Sequence, residues 1–96
     1  MAGYVVGKIN IKDPVTYKEY TNHVQTTLDK YGGKFVVRGG QYEIMEGDWQ
    51  GRLVVIEFES SAAAKLWYNS PEYAIILPIR QKASSGDLII VEGYQP

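Results

Sequence analysis

The apolar and polar positions of this chain form short β-branched runs that alternate with stretches of helical spacing. Tyr4 to Ile11 is rich in β-branched residues and predicts a first strand. Asp13-Pro14 then supplies an N-cap residue and a proline for the first helical position. The apolar side chains that follow recur every three or four residues, as in an amphipathic helix: Tyr17, Tyr20, Val24, Leu28 and Tyr31. Gly32-Gly33 is expected to end this helix.

The remaining segments complete one recognisable order of elements. KFVVRGG (34–40) and RLVVIEF (52–58) predict the second and third strands, and DLIIVEGY (87–94) predicts the fourth. Between the last two strands, Ser60 is expected to cap a second helix. Ser70-Pro71 is expected to start a short helical segment that Pro78 breaks or kinks. The order β-α-β-β-α-β predicts an α+β, ferredoxin-like fold: a single domain (1–96) with a four-stranded antiparallel sheet and helices on one face.

The predicted strands carry apolar side chains on both faces of the sheet. Simple alternation turns one set toward the helices: Val5, Ile9, Phe35, Val37, Val54, Ile56, Ile89 and Val91. It turns a second set away from them: Val6, Val36, Leu53, Val55, Leu88 and Ile90. Leaving the second set in water would forgo roughly 1.5 to 3 kcal/mol for each side chain. A second copy of the sheet is the simplest cover, so the sequence predicts a homodimer through the open sheet face.

The same alternation places four charges on the open face: Lys8, Arg38, Glu57 and Glu92. Isolated charges among aliphatic neighbours are costly, so mutual pairing is expected. Two interpretations stay open. The four residues form an interfacial ion-pair network that sets the register of the dimer, or they form a polar site in which Glu57 or Glu92 transfers a proton.

Composition removes several classes of function. The chain has no cysteine, which excludes disulfides and thiol nucleophiles, and a single histidine argues against a zinc or iron site made by protein ligands alone. Ten basic and eleven acidic residues are interspersed, with a net charge of -1, so no block of like charge favours nucleic acid or a membrane surface. The sequence lacks a signal-peptide pattern and a bilayer-spanning run, which predicts a cytoplasmic protein.

Arg38-Gly39-Gly40 resembles an RNA-binding RGG element, but it occurs only once. The glycine pair is instead expected to bend the second strand, and Glu46-Gly47-Asp48 is expected to turn the hairpin that follows. No phosphate-binding GxGxxG or GK[ST] pattern is present. Arg38 itself stays a candidate, either for an ion pair with Glu57 or for the anion of a ligand.

Several stretches, namely YGGKFVVRGG, EGDW, LVVIEFES, WYNSPEY and LPIRQ with DLIIVEGY, resemble the bacterial family catalogued as domain of unknown function 1330. The resemblance covers nearly the whole chain, with the motifs in the family's order. It implies a dimeric α+β barrel built from two ferredoxin-like subunits. It implies no activity, because the wider superfamily includes cofactor-free monooxygenases, isomerases and haem-dependent enzymes, and kinship at that level is only analogy.

The candidate site combines helix residues with the second strand. Trp67, Tyr73 and Arg80 project from nearby turns, and with Arg38 they are expected to frame an aromatic pocket whose guanidinium groups suit a carboxylate or enolate. The predicted ligand is a small aromatic or carboxylated metabolite. In a cofactor-independent enzyme of monooxygenase or isomerase type, Tyr73 and Ser70 would donate hydrogen bonds.

His23, on the border of the first helix's aromatic stripe, is the expected catalytic base of such an enzyme. It is also the one imidazole that a haem-binding variant would use as an axial ligand. For each of these residues a purely structural role stays open as the alternative. His23 is then a surface residue, Ser70 is only a helix cap, and the aromatic residues simply fill the core. The corresponding alternative function is a non-catalytic dimeric binding or structural module.

Overall fold

The computed structural model describes residues 1–96 as one sheet with three helices on one side. The elements are β1 (Gly3–Ile11), α1 (Pro14–Tyr31), β2 (Lys34–Arg38), β3 (Arg52–Phe58), α2 (Ser61–Tyr68), α3 (Pro71–Ala83) and β4 (Ser84–Glu92). The four strands are antiparallel to their neighbours, in the order β2-β3-β1-β4. The predicted ferredoxin-like fold is therefore confirmed, with the second helical region divided into two helices.

All three helices begin at the residues that the sequence predicts, and α1 also ends where it predicts. Asp13 caps α1, and Gly32 ends it in the left-handed conformation, with φ of 72°. Ser60 and Ser70 cap α2 and α3, each accepting a hydrogen bond from a backbone N–H one turn ahead. Pro78 does not break α3, which continues to Ala83. Pro78 lies on the solvent side, where water can satisfy the backbone carbonyl that lacks its usual partner.

The core lies between the helices and one face of the sheet. The largest fully buried side chains are Trp67 from α2, Tyr73 from α3 and Phe58 from β3. Trp67 links the other two, since its ring centroid lies 5.7 Å from that of Phe58 and 4.1 Å from that of Tyr73. This aromatic centre joins α2 and α3 to the sheet, and Trp67 also lines the cavity described below.

The register of β4 corrects the predicted faces of this strand. Val5 of β1 is paired with Ile56 on one side and Ile90 on the other, so Ile90 faces the helices. Ile89 and Val91 lie on the open face, where they are 57% and 43% exposed. The sequence predicted the opposite. An unbroken apolar run contains no alternation that reveals its phase, and a one-residue shift moves every side chain to the other face.

A bulge between Phe35 and Val37 corrects the predicted faces of β2. Phe35 pairs with Ile56 on the helix-facing side, but the extra residue turns Val37 to the open face and Arg38 to the helices. There, Nη2 of Arg38 donates to the carbonyl oxygen of Thr21 at 3.3 Å. The strand therefore bends at the bulge and not at Gly39-Gly40, which begins the exposed loop of residues 39–51 that joins β2 to β3.

The predicted ion-pair network of four charges on the open face is wrong, because the bulge in β2 removes Arg38 from this face and the register of β4 removes Glu92. Glu57 pairs with Lys34, with 3.2 Å between Nζ and Oε1, and it accepts a hydrogen bond from the Tyr4 hydroxyl at 3.1 Å. Nζ of Lys8 lies 4.9 Å from the centroid of the Trp49 ring. Arg38 is on the other side of the sheet. Glu92 pairs with Gly3 and so also has the helix-facing phase.

Candidate functional site

A cavity lies between α1, α3 and the helix-facing side of the sheet. Its walls are mostly aliphatic and aromatic, and include Val24, Phe35, Val54, Trp67 and Leu88. The free volume of this cavity is about 30 Å³, on the scale of one or two water molecules. The cavity is thus an apolar space that is nearly closed by the side chains at its mouth.

All three arginines of the chain converge on this cavity: Arg38 from the end of β2, Arg52 from the start of β3 and Arg80 from α3. None of the seven lysines lines it. None of the three guanidinium groups pairs with a carboxylate, because both salt bridges of the chain are made by lysines. The cavity therefore has a concentrated positive charge with no acidic partner, built from the side chain best suited to planar anions.

Two of these arginines lie over aromatic rings at the mouth. Cζ of Arg38 is 4.3 Å from the centroid of Phe35, and Cζ of Arg52 is 5.8 Å from the centroid of Tyr17. These contacts hold the guanidinium planes without using up their N–H groups. Nε of Arg52 is buried and has no hydrogen-bond partner. A buried donor on a charged group without a partner is costly, so this N–H marks a place for an acceptor.

A chain of hydrogen bonds lies at the back of the cavity. The hydroxyl oxygens of Tyr20 and Tyr73 are 2.8 Å apart, and Nε of Arg80 donates to the Tyr73 oxygen at 3.2 Å. Burial, together with the neighbouring Tyr73, raises the pKa of Tyr20 far above its ordinary value. Tyr20 is therefore neutral at physiological pH and has one hydrogen to donate.

The structure brings four of the predicted site residues together. Arg38, Trp67 and Arg80 line the cavity, and Tyr73 lies directly behind it, bonded to Tyr20 and Arg80. The indole N–H of Trp67 is already used, since it donates to the Thr27 hydroxyl at 3.0 Å. Trp67 thus offers the cavity an apolar surface. The roles of these residues toward a ligand stay predictions.

Two predicted residues lie elsewhere. The Ser70 hydroxyl donates to the carbonyl oxygen of Trp67 at 2.7 Å and accepts from the backbone N–H of Tyr73 at 3.1 Å, so it is fully engaged as a cap. His23 is exposed on α1 and lines a separate outer groove with Ile75 and Ile79 of α3. Neither Ser70 nor His23 is among the residues that line the cavity.

Sequence reasoning missed Tyr20 and Arg52 as site residues. Tyr20 belongs to the apolar stripe of α1, and its hydroxyl gave no separate signal. Arg52, however, was detectable, because it shares the alternation of Val54 and Ile56 and so must point toward the helices. A charged residue on a core-facing phase indicates either a buried pair or a site. The structure shows no pair for it.

Residues 2–94 match the family described as "Domain of unknown function (DUF1330)". The chain belongs to this family. The match covers nearly the whole sequence and confirms the predicted resemblance, while the family description carries no activity. No curated protein matches the chain.

Several solved structures share the fold of this DUF1330 chain. A protein of unknown function from Rhodopseudomonas palustris is 19% identical, with a TM-score of 0.77 over 99% of this chain and 84% of that one. SnoaB, a cofactor-independent oxygenase from Streptomyces nogalater, is 13% identical, with a TM-score of 0.67 over 99% and 95%. A dimeric ferredoxin-like protein of unknown function from Bacteroides fragilis is 14% identical, with a TM-score of 0.60 over 96% and 95%. At these identities the likeness shows the fold alone.

Two further geometric findings bear on the site. No three or more His, Cys, Asp or Glu side chains are grouped so that they could hold a metal ion. None of the three helices is both long and apolar enough to cross a bilayer.

Proposed function

We propose that this protein binds a small aromatic or carboxylated metabolite as an anion, in the cavity between the helices and the sheet. The observation that carries the proposal is the convergence of Arg38, Arg52 and Arg80, without a carboxylate partner, on an apolar space. Ligand sites are typically apolar with a few convergent polar groups. Guanidinium groups recognise planar carboxylates through paired hydrogen bonds and stack on aromatic rings.

Ligand entry requires the arginines at the mouth to move outward. Arg38 is exposed and held by a single hydrogen bond to Thr21, and neither Arg38 nor Arg52 is fixed by an ion pair. Both side chains are long and can turn without disturbing the backbone. An incoming anion would replace the aromatic contacts of these guanidinium groups with stronger charge-assisted hydrogen bonds.

The lining favours binding over acid–base catalysis. No histidine, aspartate or glutamate lines the cavity, so an isomerase that abstracts a proton would lack a base within reach. The structurally similar SnoaB is a cofactor-independent oxygenase. That activity is compatible with a cavity that has no base if the substrate arrives already ionised, as an enolate or phenolate. The non-catalytic binding module is the simpler function of the two.

Calorimetric titration with benzoate tests the binding proposal, with the neutral isostere benzamide as the comparison. We expect benzoate to bind and benzamide to bind much more weakly. Arg52→Met should weaken benzoate by about 10- to 100-fold, since a hydrogen bond to a charged group contributes about 1.5 to 3 kcal/mol. Lys18→Met removes the same charge from an exposed site on α1 and should leave affinity unchanged. Equal affinities for the two variants would contradict the proposal.

We also propose that the protein forms a homodimer through its open sheet face. That face has no helix over it and exposes Val36, Ile89 and Val91, and a structurally similar protein is described as dimeric. Multi-angle light scattering tests this. Val55→Glu would place an unpaired carboxylate in the middle of the face and should give a monomer. Leu66→Glu, at an exposed apolar position on α2, is the matched control and should stay dimeric.

A monomeric wild-type protein at micromolar concentration would contradict the dimer and leave the binding proposal standing. The cytoplasmic location and the absence of a nucleic-acid partner stay predictions.

A further inference from the structure

The hydrogen bonds that join Arg80, Tyr73 and Tyr20 can run in only one direction if every buried hydrogen is to have an acceptor. Nε of an arginine can only donate, so the Tyr73 oxygen accepts from Arg80. Tyr73 is 0% exposed, and its hydroxyl makes hydrogen bonds only with Nε of Arg80 and the hydroxyl of Tyr20. Its own hydrogen would be buried without an acceptor unless it were given to Tyr20. Tyr73 therefore donates to Tyr20.

This direction leaves the hydrogen of Tyr20 free. Tyr20 lines the cavity and Tyr73 does not, so the free hydrogen lies on the phenol that a bound molecule can reach. Each hydroxyl in this row of hydrogen bonds accepts from one neighbour and donates to the next. The charge of Arg80 therefore polarises the hydroxyl of Tyr73, which in turn polarises that of Tyr20. The cavity is thus offered a neutral donor strengthened by a cation two hydrogen bonds away.

The free hydrogen-bonding capacity of the cavity is dominated by donors. Nε of Arg52 is a second buried donor without a partner. The Thr21 carbonyl is already occupied by Arg38, and no carboxylate lines the cavity. The remaining hydroxyls, of Tyr17 and Thr21, donate as readily as they accept. A ligand that fills this space must therefore present acceptors.

We infer that Tyr20 and Arg52 contact the ligand directly and select an anionic oxygen, as in a phenolate, enolate or carboxylate on a small apolar body. Tyr73 and Arg80 are positioning residues that orient and polarise the Tyr20 hydroxyl. The inference rests on the proposed function and moves the ligand's donor from Tyr73, which the sequence predicted, to Tyr20. A ligand whose polar atom is itself a donor would leave Tyr20 and Arg52 unpaired and be rejected.

4-Nitrophenol tests the inference because its phenolate absorbs visible light and its phenol does not. Selective binding of the phenolate would lower the pKa of bound 4-nitrophenol below that of the free compound. Tyr20→Phe should weaken phenolate binding by about 10- to 100-fold and lessen that lowering. Tyr94→Phe removes the hydroxyl of a residue that is 91% exposed and should change neither quantity.

Tyr73→Phe separates positioning from packing. This variant keeps the Tyr20 hydroxyl but cuts its link to Arg80. We therefore expect a smaller loss of affinity than in Tyr20→Phe. The pKa of bound 4-nitrophenol should still be lowered less than in the wild type. A purely structural Tyr73 would lower the thermal midpoint and leave the bound pKa unchanged. Should Tyr20→Phe fail to fold, Arg52→Lys serves instead. It keeps the charge, loses Nε and should weaken phenolate by about 10-fold.

The possible outcomes separate the inference from the proposed function. Equal phenolate affinity in wild type, Tyr20→Phe and Arg52→Lys would overturn the inference. If the wild type still bound benzoate, the proposed function would stand. Binding of neutral 4-nitroanisole as tightly as the phenolate would overturn the selection of an anionic oxygen. Failure of the wild type to bind phenolate and benzoate alike would overturn both. Binding of either anion that depends on Tyr20 and Arg52 supports the inference, and their relative affinity shows which oxygen the site prefers.

Discussion

The guanidinium of Arg52 lies across Gly39 so closely that a Cβ on Gly39 would be 2.7 Å from both Cζ and Nε. Gly39 also has a φ of 66°, in the left-handed region that side chains disfavour. A Cβ on the next residue, Gly40, would meet nothing within 4 Å. The two glycines of the single RGG element thus differ. Gly39 makes room for the side chain of a cavity arginine, whereas Gly40 has no neighbour that a side chain would displace.

Gly39→Ala should therefore impair binding as well as folding. A left-handed alanine costs about 1 to 2 kcal/mol, and its methyl group would push Arg52 away from the cavity, weakening benzoate by about 10-fold. Gly40→Ala is the matched control and should leave affinity near that of the wild type. Urea denaturation measures the first effect and calorimetry the second. Equal benzoate affinity in the two variants would show that Arg52 does not need this space.

Ser70 should behave as a cap and not as a catalytic residue. Ser70→Ala removes the acceptor for the Tyr73 N–H and should lower the free energy of unfolding by about 1 kcal/mol. Ser60→Ala, at the equivalent cap of α2, should cost a similar amount. Both variants should keep the wild-type affinity for benzoate. A loss of affinity in Ser70→Ala alone, after correction for the unfolded fraction, would return Ser70 to the site.

The order of elements, the starts of the helices and part of the candidate site could be predicted from the sequence because local chemistry determines them. Three helix starts are determined by a cap side chain that accepts a backbone N–H, at Asp13, Ser60 and Ser70, and the end of α1 is determined by Gly32. These residues act on their own helix and do not depend on distant parts of the chain. The helical spacing of Tyr73 and Arg80, seven residues apart on α3, likewise required no tertiary information.

The phase of β4 and the side of Arg38 depend on partners that are distant along the chain. Ile90 faces the helices because Val5 does, and Arg38 faces them because one extra residue at Val36 is accommodated opposite β3. Periodicity within a single strand contains neither fact. Tyr20 was missed for a related reason, since only the three-dimensional structure shows that Tyr20 lines a cavity and that its hydroxyl is bonded to Tyr73.

The buried contact between Trp67 and Thr27 should be a major contribution to stability. The Thr27 hydroxyl accepts the indole N–H at 3.0 Å and donates to the Val24 carbonyl at 2.7 Å. Thr27→Val has the same shape but leaves the indole N–H buried without a partner, which costs about 1 to 3 kcal/mol. Thr26→Val, at an exposed neighbour, should change the unfolding free energy by less than about 0.5 kcal/mol. Indistinguishable urea midpoints for the two variants would contradict this role.

The start of α3 contains the group with the clearest effect of pH on stability. Lys30 and Tyr31 of α1 each donate to a different carboxylate oxygen of Glu72, the hydroxyl of Tyr31 at 2.7 Å. These hydrogen bonds, that of Lys30 first, lower the pKa of Glu72 from 4.5 to about 2. The position of Glu72 in the first turn of α3 also favours its negative charge. The carboxylate thus ties the end of α1 to the start of α3.

Because the pKa of Glu72 is lower in the folded protein, its ionised form favours folding, and the effect has a definite direction. The stabilisation is fully present above about pH 4.5 and is lost as pH falls toward 2. Glu72→Gln should therefore be less stable than wild type at pH 7, with the difference in unfolding free energy shrinking between pH 4.5 and 2. Urea titrations across this range measure it, and added salt should reduce the difference because the pair is partly exposed. A difference that stayed constant down to pH 2 would show that the ionised carboxylate is not what joins the two helices.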